Sequence, residues 1–291
     1  MYQHQYNLAI GHVIEILETA PQEEKFWIYI VLAKLHEEKK DFSSAIQYCY
    51  QALQNLPASQ TNLTLLLKTI LGTNLKNLGD LEKGEEYLLE ALEGLGEKEV
   101  EEDPNLPKGL KGEVLFHLGE IYRLKNSCET ALSCYLQGKD IFKSRKRWHY
   151  YYESLSKMGL LYLKTEQWKE SRDMFRQVMA FYKKVQNQEK LGETYYYLGL
   201  ALKKGGKRHS AMTFLKKSLE FLSSKPSYLL GMVYFNLAKI AAFREDFASA
   251  ESFILKAIQV FDEIQNYASM SEAQRALEKI QNQNQINEIG I

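Results

Sequence analysis

Six stretches of this chain superimpose without a gap, and that internal repetition limits the fold more than any other feature. They read LAKLHEEKKDFSSAIQYCYQAL, LGTNLKNLGDLEKGEEYLLEAL, LGEIYRLKNSCETALSCYLQGK, MGLLYLKTEQWKESRDMFRQVM, LGLALKKGGKRHSAMTFLKKSL and LAKIAAFREDFASAESFILKAI. Each opens on an apolar residue followed by a small one: Ala33, Gly72, Gly119, Gly159, Gly199 and Ala238. Twelve residues on comes a second small residue: Ala45, Gly84, Ala131, Ser171, Ala211 and Ala250. Seven further comes a third: Ala52, Ala91, Gly138, Val178, Ser218 and Ala257. Only Val178 among these is not Gly, Ala or Ser. Large residues stand between the last two in most copies: Cys49, Leu88, Tyr135, Phe175, Leu215 and Ile254.

That spacing describes a helical hairpin. The first and second small residues fall on two helices separated by a short polar turn, read as EKKD, LGD, KNS, TEQ, GGK and RED. Small residues let antiparallel helices approach closely, and the large neighbours fill the space as ridges in grooves. The third small position is expected to receive the first helix of the next unit. One hairpin cannot bury both of its faces, so the units must stack. Proline supports long helices: only 5 occur in 291 residues, and each interior proline would cost about 3 kcal/mol. The reading is an all-α fold, a right-handed superhelix (α-solenoid) of about six hairpins with a capping helix at each end.

The pattern resembles the tetratricopeptide repeat over residues 26–264. Two features depart from that family. Its terminal proline survives only as Pro57, and successive units are 39, 47, 40, 40 and 39 residues apart, against the usual ~34. Longer spacing predicts extended second helices and longer connections. The organisation expected is a capping helix in 1–24, units one and two in 25–93, an acidic Pro/Gly loop and hinge in 94–112, units three to six in 113–264, and a capping helix with a frayed tail in 265–291. Residues 2–20 carry amphipathic spacing at Tyr6, Ala9, Ile10, Val13, Ile14 and Leu17. Ser271 reads as the N-cap of the last helix.

Motifs for catalysis are missing. There is no HExxH, Walker A or GxSxG, so no enzyme activity, no cofactor and no metal are expected. Cys128 and Cys134 lack zinc-ligand spacing, and three cysteines suit a reducing compartment. No apolar run reaches the ~20 residues of a membrane span, and the N-terminus lacks a signal-peptide pattern; a cytoplasmic protein without membrane contact is expected. The segment KSRKRWHYYY (143–152) combines cations and aromatics as single-stranded nucleic-acid sites do. The plainer reading is a helix end, its connection and the next helix with core aromatics, which leaves direct nucleic-acid binding as a weaker alternative.

The resemblance implies where a ligand would sit. In tetratricopeptide-repeat proteins the groove-facing positions of a first helix lie three and two before the Gly/Ala landmark, and one and four after it. Carried over, the third unit offers Phe116, His117, Glu120 and Arg123. The fourth offers Ser156, Lys157, Leu160 and Leu163, the fifth Tyr196, Tyr197, Leu200 and Lys203, and the sixth Phe235, Asn236, Lys239 and Ala242. Asn can hold a peptide backbone, and Lys or Arg a carboxylate. The dedicated Lys/Asn/Arg clamp of chaperone adaptors is present only in fragments, at Lys157 and Asn236.

Units of ~40 residues with connections such as FYKKVQNQEKLGETYYYLGLAL (181–202) and VFDEIQNYASMSEAQRAL (260–277) also resemble the sensor domains of Gram-positive peptide-pheromone regulators, the RRNPP group of Rap, NprR and PlcR. That resemblance implies a short peptide in the groove. The few residues ahead of the first repeat imply an isolated sensor domain or a stand-alone repeat protein. The expected function is a non-catalytic peptide- or protein-binding module, with a scaffold for assembly or self-association as the alternative and a homo-oligomer as its product. Charge fits an oriented partner. Net charge is zero overall, yet residues 1–142 hold 13 Lys/Arg against 22 Asp/Glu, which is −9, and 143–291 hold 24 against 15, which is +9.

Overall fold

This computed structural model describes residues 2–60, 62–96, 103–222 and 225–289, and among them are fourteen α-helices and no strand. Helix α1 (Tyr2–Thr19) precedes six hairpins. These are α2 (Lys25–Glu38) with α3 (Phe42–Gln54), α4 (Leu63–Leu78) with α5 (Leu81–Gly94), and α6 (Leu110–Leu124) with α7 (Cys128–Ser144). Then come α8 (Trp148–Lys164) with α9 (Trp168–Lys184), α10 (Gln188–Lys204) with α11 (Arg208–Leu222), and α12 (Tyr228–Phe243) with α13 (Phe247–Glu263). Helix α14 (Tyr267–Ile289) closes the chain. The order is that of an α-solenoid of helical hairpins.

Each hairpin reverses by the same device. Seven residues past the landmark the backbone enters the left-handed region, at Lys40, Gly79, Asn126, Glu166, Gly206 and Glu245, with φ between 61° and 94°. The following N–H then reaches back to close the helix end: Asp41 to His36, Asp80 to Leu75, Ser127 to Tyr122, Gln167 to Tyr162, Lys207 to Leu202 and Asp246 to Ala241. This is Schellman closure. A side chain other than glycine gives up about 1–2 kcal/mol there, so four hairpins accept a cost that Gly79 and Gly206 avoid. Where the residue after the turn is aspartate it also caps the next helix. Asp41, Asp80 and Asp246 accept from the backbone N–H of Ser44, Lys83 and Ser249. Those Ser249 contacts hold the Asp246 carboxyl below its usual range.

The landmarks pack as their spacing predicts. A Cβ at Gly72 would lie 2.6 Å from Leu88 Cγ, one at Gly119 2.7 Å from the Tyr135 ring, one at Gly159 2.9 Å from the Phe175 ring and one at Gly199 2.9 Å from Leu215 Cγ. The large residue of the second helix therefore fills the volume that a side chain on the first would need. Leu88, Tyr135, Phe175, Leu215 and Ile254 are fully buried, each contributing about 1.5–3 kcal/mol. Two of the third small positions make their nearest contacts within their own hairpin. A Cβ at Gly138 would meet the Gly112 carbonyl at 3.1 Å, and Ser218 Oγ donates to the Gly192 carbonyl at 2.8 Å. Both partners lie on the first helix of the same hairpin, because antiparallel helices pair positions equidistant from their turn.

The long repeat spacing has two origins. In the third, fourth and sixth hairpins the second helix has 17 residues, and the connection after it is a tight left-handed turn at Lys146, Gln186 or Gln265. The first, second and fifth hairpins have second helices of 13, 14 and 15 residues and longer connections. Within 94–112, helix α6 already begins at Leu110 behind Gly109 at φ 88°; residues 97–102 of that expected loop lie outside the described residues. The final helix is capped by Asn266, whose Oδ1 accepts from Ser269 N at 3.1 Å, and not by Ser271. It runs on to Ile289 in place of the expected frayed tail, since the Gln/Asn-rich stretch contains no helix breaker before Gly290.

The chain forms two compact units, Met1–Ser154 and Leu155–Ile291, and the boundary falls within α8. In the first unit one continuous core joins Phe26, Ile30, Leu67, Leu88, Leu110 and Leu118. The second has cores around Phe175, Leu198 and Leu215 and around Phe235, Ile254 and Phe261.

Candidate functional site

In the first unit, α2, α4, α6 and the starts of α3 and α8 line a cleft of about 330 Å³. Lys34, Glu37, Thr73, Asn77, His117 and Tyr150 are among its walls. Thr73 donates its hydroxyl to the Thr69 carbonyl at 2.8 Å. Lys34 Nζ lies 4.0 Å from the Glu37 carboxylate, and burial pushes the Glu37 carboxyl above its usual range, with Glu38 and Glu113 adding to the rise. Lys76 Nζ stands 3.4 Å from His117 Nδ1. Arg147 pairs with Glu113 and lies 4.4 Å over the Tyr150 ring, while Phe142 and Tyr150 stack at 5.0 Å. The basic-aromatic segment is thus a helix end, a turn and the next helix, with Arg147 and Tyr150 engaged inside the unit.

The residues expected from the third hairpin divide. His117 reaches the cleft. Phe116 is buried and packs edge-on against the His117 and Tyr150 rings. Glu120, also buried, accepts from the Tyr135 hydroxyl and from Arg123 Nε at 3.1 Å. Glu120 and Arg123 are therefore tied to each other and to the core tyrosine. The sequence-based set covers units three to six and omits the first two, where the cleft has most of its walls. At Ala33 and Gly72 the same offsets reach Lys34, Glu37, Thr69, Ile70 and Thr73, all of which line the cleft. Asn77 and Tyr150 fall outside the offsets and carry no signal in the repeat.

The second unit brings a separate group together. Lys203 Nζ donates to Asn236 Oδ1 at 2.7 Å, and Asn236 Nδ2 donates to the Met232 carbonyl at 2.8 Å. Asn236, Tyr196 and Phe235 are buried. Burial raises the Tyr196 hydroxyl pKa. Tyr197 stacks on Phe175 at 5.4 Å. Lys239 Nζ sits 4.1 Å above the Phe235 ring and 3.7 Å from the exposed Glu272 carboxylate. Ser156 and Lys157 are half-buried on α8.

Burial, reinforced by Lys239, Lys204 and Arg208, pushes the Lys203 ammonium down to about 8 from its ordinary 10.5. The unfolded chain then binds more protons than the fold between those two values, so this residue's contribution makes stability rise with pH across that window. Its penalty is complete below about 8 and gone above about 10.5. Lys203→Met should remove a penalty of roughly 2 kcal/mol at neutral pH, after allowance for solvent screening. The expected result is that the stability difference between Lys203→Met and wild type shrinks as denaturation is measured from pH 7 to 10.5. A difference that stays constant with pH would show that Lys203 is not desolvated.

Among the described residues no three His, Cys, Asp or Glu side chains converge as metal ligands, and no helix is long and apolar enough to cross a membrane. Burial pushes the Cys49 and Cys134 thiols up to about 12 and 11, which keeps both protonated.

Residues 150–224 match the tetratricopeptide repeat family model. No curated protein sequence matches the chain. Solved structures share its fold. One is the STAND protein PH0952 of Pyrococcus horikoshii, which has a tetratricopeptide repeat sensor; the likeness has a TM-score of 0.71 at 16% identity, over 92% of this chain and 42% of that one. Another is the apo quorum sensor NprR of B. thuringiensis, with a TM-score of 0.69 at 14% identity, over 94% and 79%. A third is a Rap protein complexed with Competence and Sporulation Factor, with a TM-score of 0.61 at 14% identity, over 94% and 79%. Residues 150–224 thus match a tetratricopeptide repeat, the same landmarks recur in all six hairpins, and the chain has the fold of solved repeat solenoids.

Proposed function

We propose that this chain is a non-catalytic module that binds a short peptide or an extended protein segment on the inner faces of its first helices, as the sensor domain of a signalling-peptide regulator. The observation that carries this reading is the cleft in the first unit. Four first helices supply most of its walls, with Phe42 of α3 beside them, and its lining mixes hydroxyls, an amide, charges of both signs and aromatic rings. Such a lining suits a peptide backbone and its side chains better than a purely apolar partner. The Rap protein of the same fold, solved with Competence and Sporulation Factor, supports the sensor reading by analogy of fold.

Peptides of about seven residues selected by display against the whole chain test the proposal. Asn77 is exposed at the cleft rim, so Asn77→Trp fills the cleft without disturbing the core. Calorimetry is expected to show selected peptides bound by wild type and weakened about tenfold by Asn77→Trp. Failure to select any peptide, or equal binding to the variant, would contradict it.

A second reading, self-association, has its own observation. Leu8 and Ile16 of α1 and Val31 of α2 expose about half of their surface or more, and apolar side chains grouped at one end favour assembly. Sedimentation velocity of wild type against Leu8→Glu/Ile16→Glu decides it: loss of an oligomer in the variant supports assembly, and a monomer in both rejects it.

A further inference from the structure

We propose that the junction of the second and third hairpins carries a pocket for a small free carboxylic acid with a branched aliphatic body of about three carbons. The pocket lies apart from the peptide-binding reading, because it shares no lining residue with the first unit's cleft.

The repeat spacing singles out this junction. Successive hairpins are 39 or 40 residues apart except here, where the step is 47. The helices show what the extra chain does. α5 and α7 begin at the same repeat position, but α5 stops after 14 residues and α7 continues for 17. The last turn of α7 therefore outruns the second helix of the preceding hairpin. Residues 103–109 stand in that place without forming a helix. Their position is fixed at both ends. Asp103 accepts from Asn62 Nδ2 and from Asn105 N, both at 2.8 Å, and the Lys108 carbonyl accepts from Arg147 at 3.3 Å. A segment held this way does not collapse onto α7, and a cavity of about 80 Å³ remains.

Size and lining select the ligand. A buried water needs about 10–15 Å³ of such volume, and a cavity of about 150 Å³ holds benzene. The pocket is thus too small for an aromatic ring and large enough for an isopropyl group. Its floor is hydrocarbon: Leu95, Leu106 and Leu110 are buried and Ile141 is half-buried, so each methyl or methylene placed there leaves water for apolar contact. Lys111 and Arg145 also line it. Arg145 is exposed and Lys111 half-buried, which sets both charges toward solvent. Packing places the Arg145 stem, since a Cβ at Gly109 would lie 3.7 Å from its Cγ. Among the described residues these two cations are the charged groups that line the pocket. Ser144 beside them donates its hydroxyl to the Ile141 carbonyl at 2.8 Å. An apolar floor under two cations suits a ligand with hydrocarbon below and a carboxylate above. Inorganic phosphate matches the rim but not the floor, and a long acyl chain exceeds the floor.

The test is a titration of the full chain carrying ¹³C-labelled isoleucine methyl groups, following Ile141 in the pocket and Ile70 in the cleft. The probes are isobutyrate, isobutyramide, acetate and inorganic phosphate. Isobutyrate is expected to shift Ile141 saturably, with a dissociation constant of about 1 mM, and to leave Ile70 in place. Isobutyramide lacks the charge and acetate lacks the isopropyl body, so each should bind about tenfold more weakly. Lys111→Gln/Arg145→Gln keeps the floor, and its affinity for isobutyrate should fall to that for the amide. If that variant does not fold, acid against amide on the wild-type chain decides alone. No saturable shift of Ile141, equal binding of acid and amide, acetate or phosphate bound as strongly as isobutyrate, or a response at Ile70 alone would overturn the pocket. Failure of isobutyrate leaves the peptide reading untouched, since that reading is judged by selected peptides at the cleft.

Discussion

Phe175→Ala is expected to destabilise the second unit by about 4 kcal/mol. Its ring is fully buried, and it has no room to be replaced from the side. The ring fills the volume over Gly159, where a Cβ would stand 2.9 Å from it, and stacks on Tyr197 at 5.4 Å with the planes 15° apart. Truncation leaves a cavity between α8, α9 and α10, and the glycine opposite cannot grow to fill it. Denaturant unfolding followed by circular dichroism gives the number. Stacked repeats lose stability mostly through neighbouring hairpins, so the loss should appear in the transition of the second unit. A cost under about 1 kcal/mol would mean that the ring is not the keystone of its hairpin.

Gly72→Val is expected to cost about 3 kcal/mol in the first unit. A Cβ there would lie 2.6 Å from Leu88 Cγ and 2.8 Å from the Gly84 carbonyl oxygen. The leucine contact is at a branch point and the other is backbone, so neither yields by a simple rotation. Helices α4 and α5 would have to separate, and both belong to the core that joins Leu67, Leu88 and Leu118. Gly11 of α1 is the matched control. Nothing lies within 4 Å of a Cβ at that position, so Gly11→Ala should instead stabilise by up to ~1 kcal/mol through helix propensity. Thermal denaturation of the two variants side by side should move the midpoint in opposite directions; destabilisation by both would show that α1 depends on that glycine in some other way.

The hairpins were legible because they rest on short-range geometry. Twelve residues from Gly119 to Ala131 span a turn, and the same count recurs at Gly159 and Ser171. The structure adds one regularity that residue type hides: the left-handed turn position is glycine in two hairpins but Lys40, Asn126, Glu166 and Glu245 in the rest. Backbone closure dictates that conformation, whichever side chain stands there. The site was legible in part. The offsets that the resemblance implies point to His117, Tyr196, Lys203 and Asn236, and the structure brings Lys203 onto the Asn236 amide. The offsets could not show that Glu120 is consumed by Tyr135 and Arg123, since that contact joins two helices of one hairpin through side-chain length. Nor could they show which lysine lacks a carboxylate, because Lys68 and Lys203 look alike until their neighbours are in place. Asn77 and Tyr150 reach the cleft from the last turn of α4 and the first turn of α8, positions that the repeat offsets do not include.

The central claim is that ligand is held on the inner faces of first helices. Hydrogen–deuterium exchange of the full chain, with and without a display-selected peptide, tests it most directly. The account predicts new protection in α2, α4 and α6 around Lys34, Thr73 and His117, with α5, α7 and α3 beyond its first turn unchanged. Protection confined to α3, α5 and α7, or spread evenly over both helices of every hairpin, would contradict it.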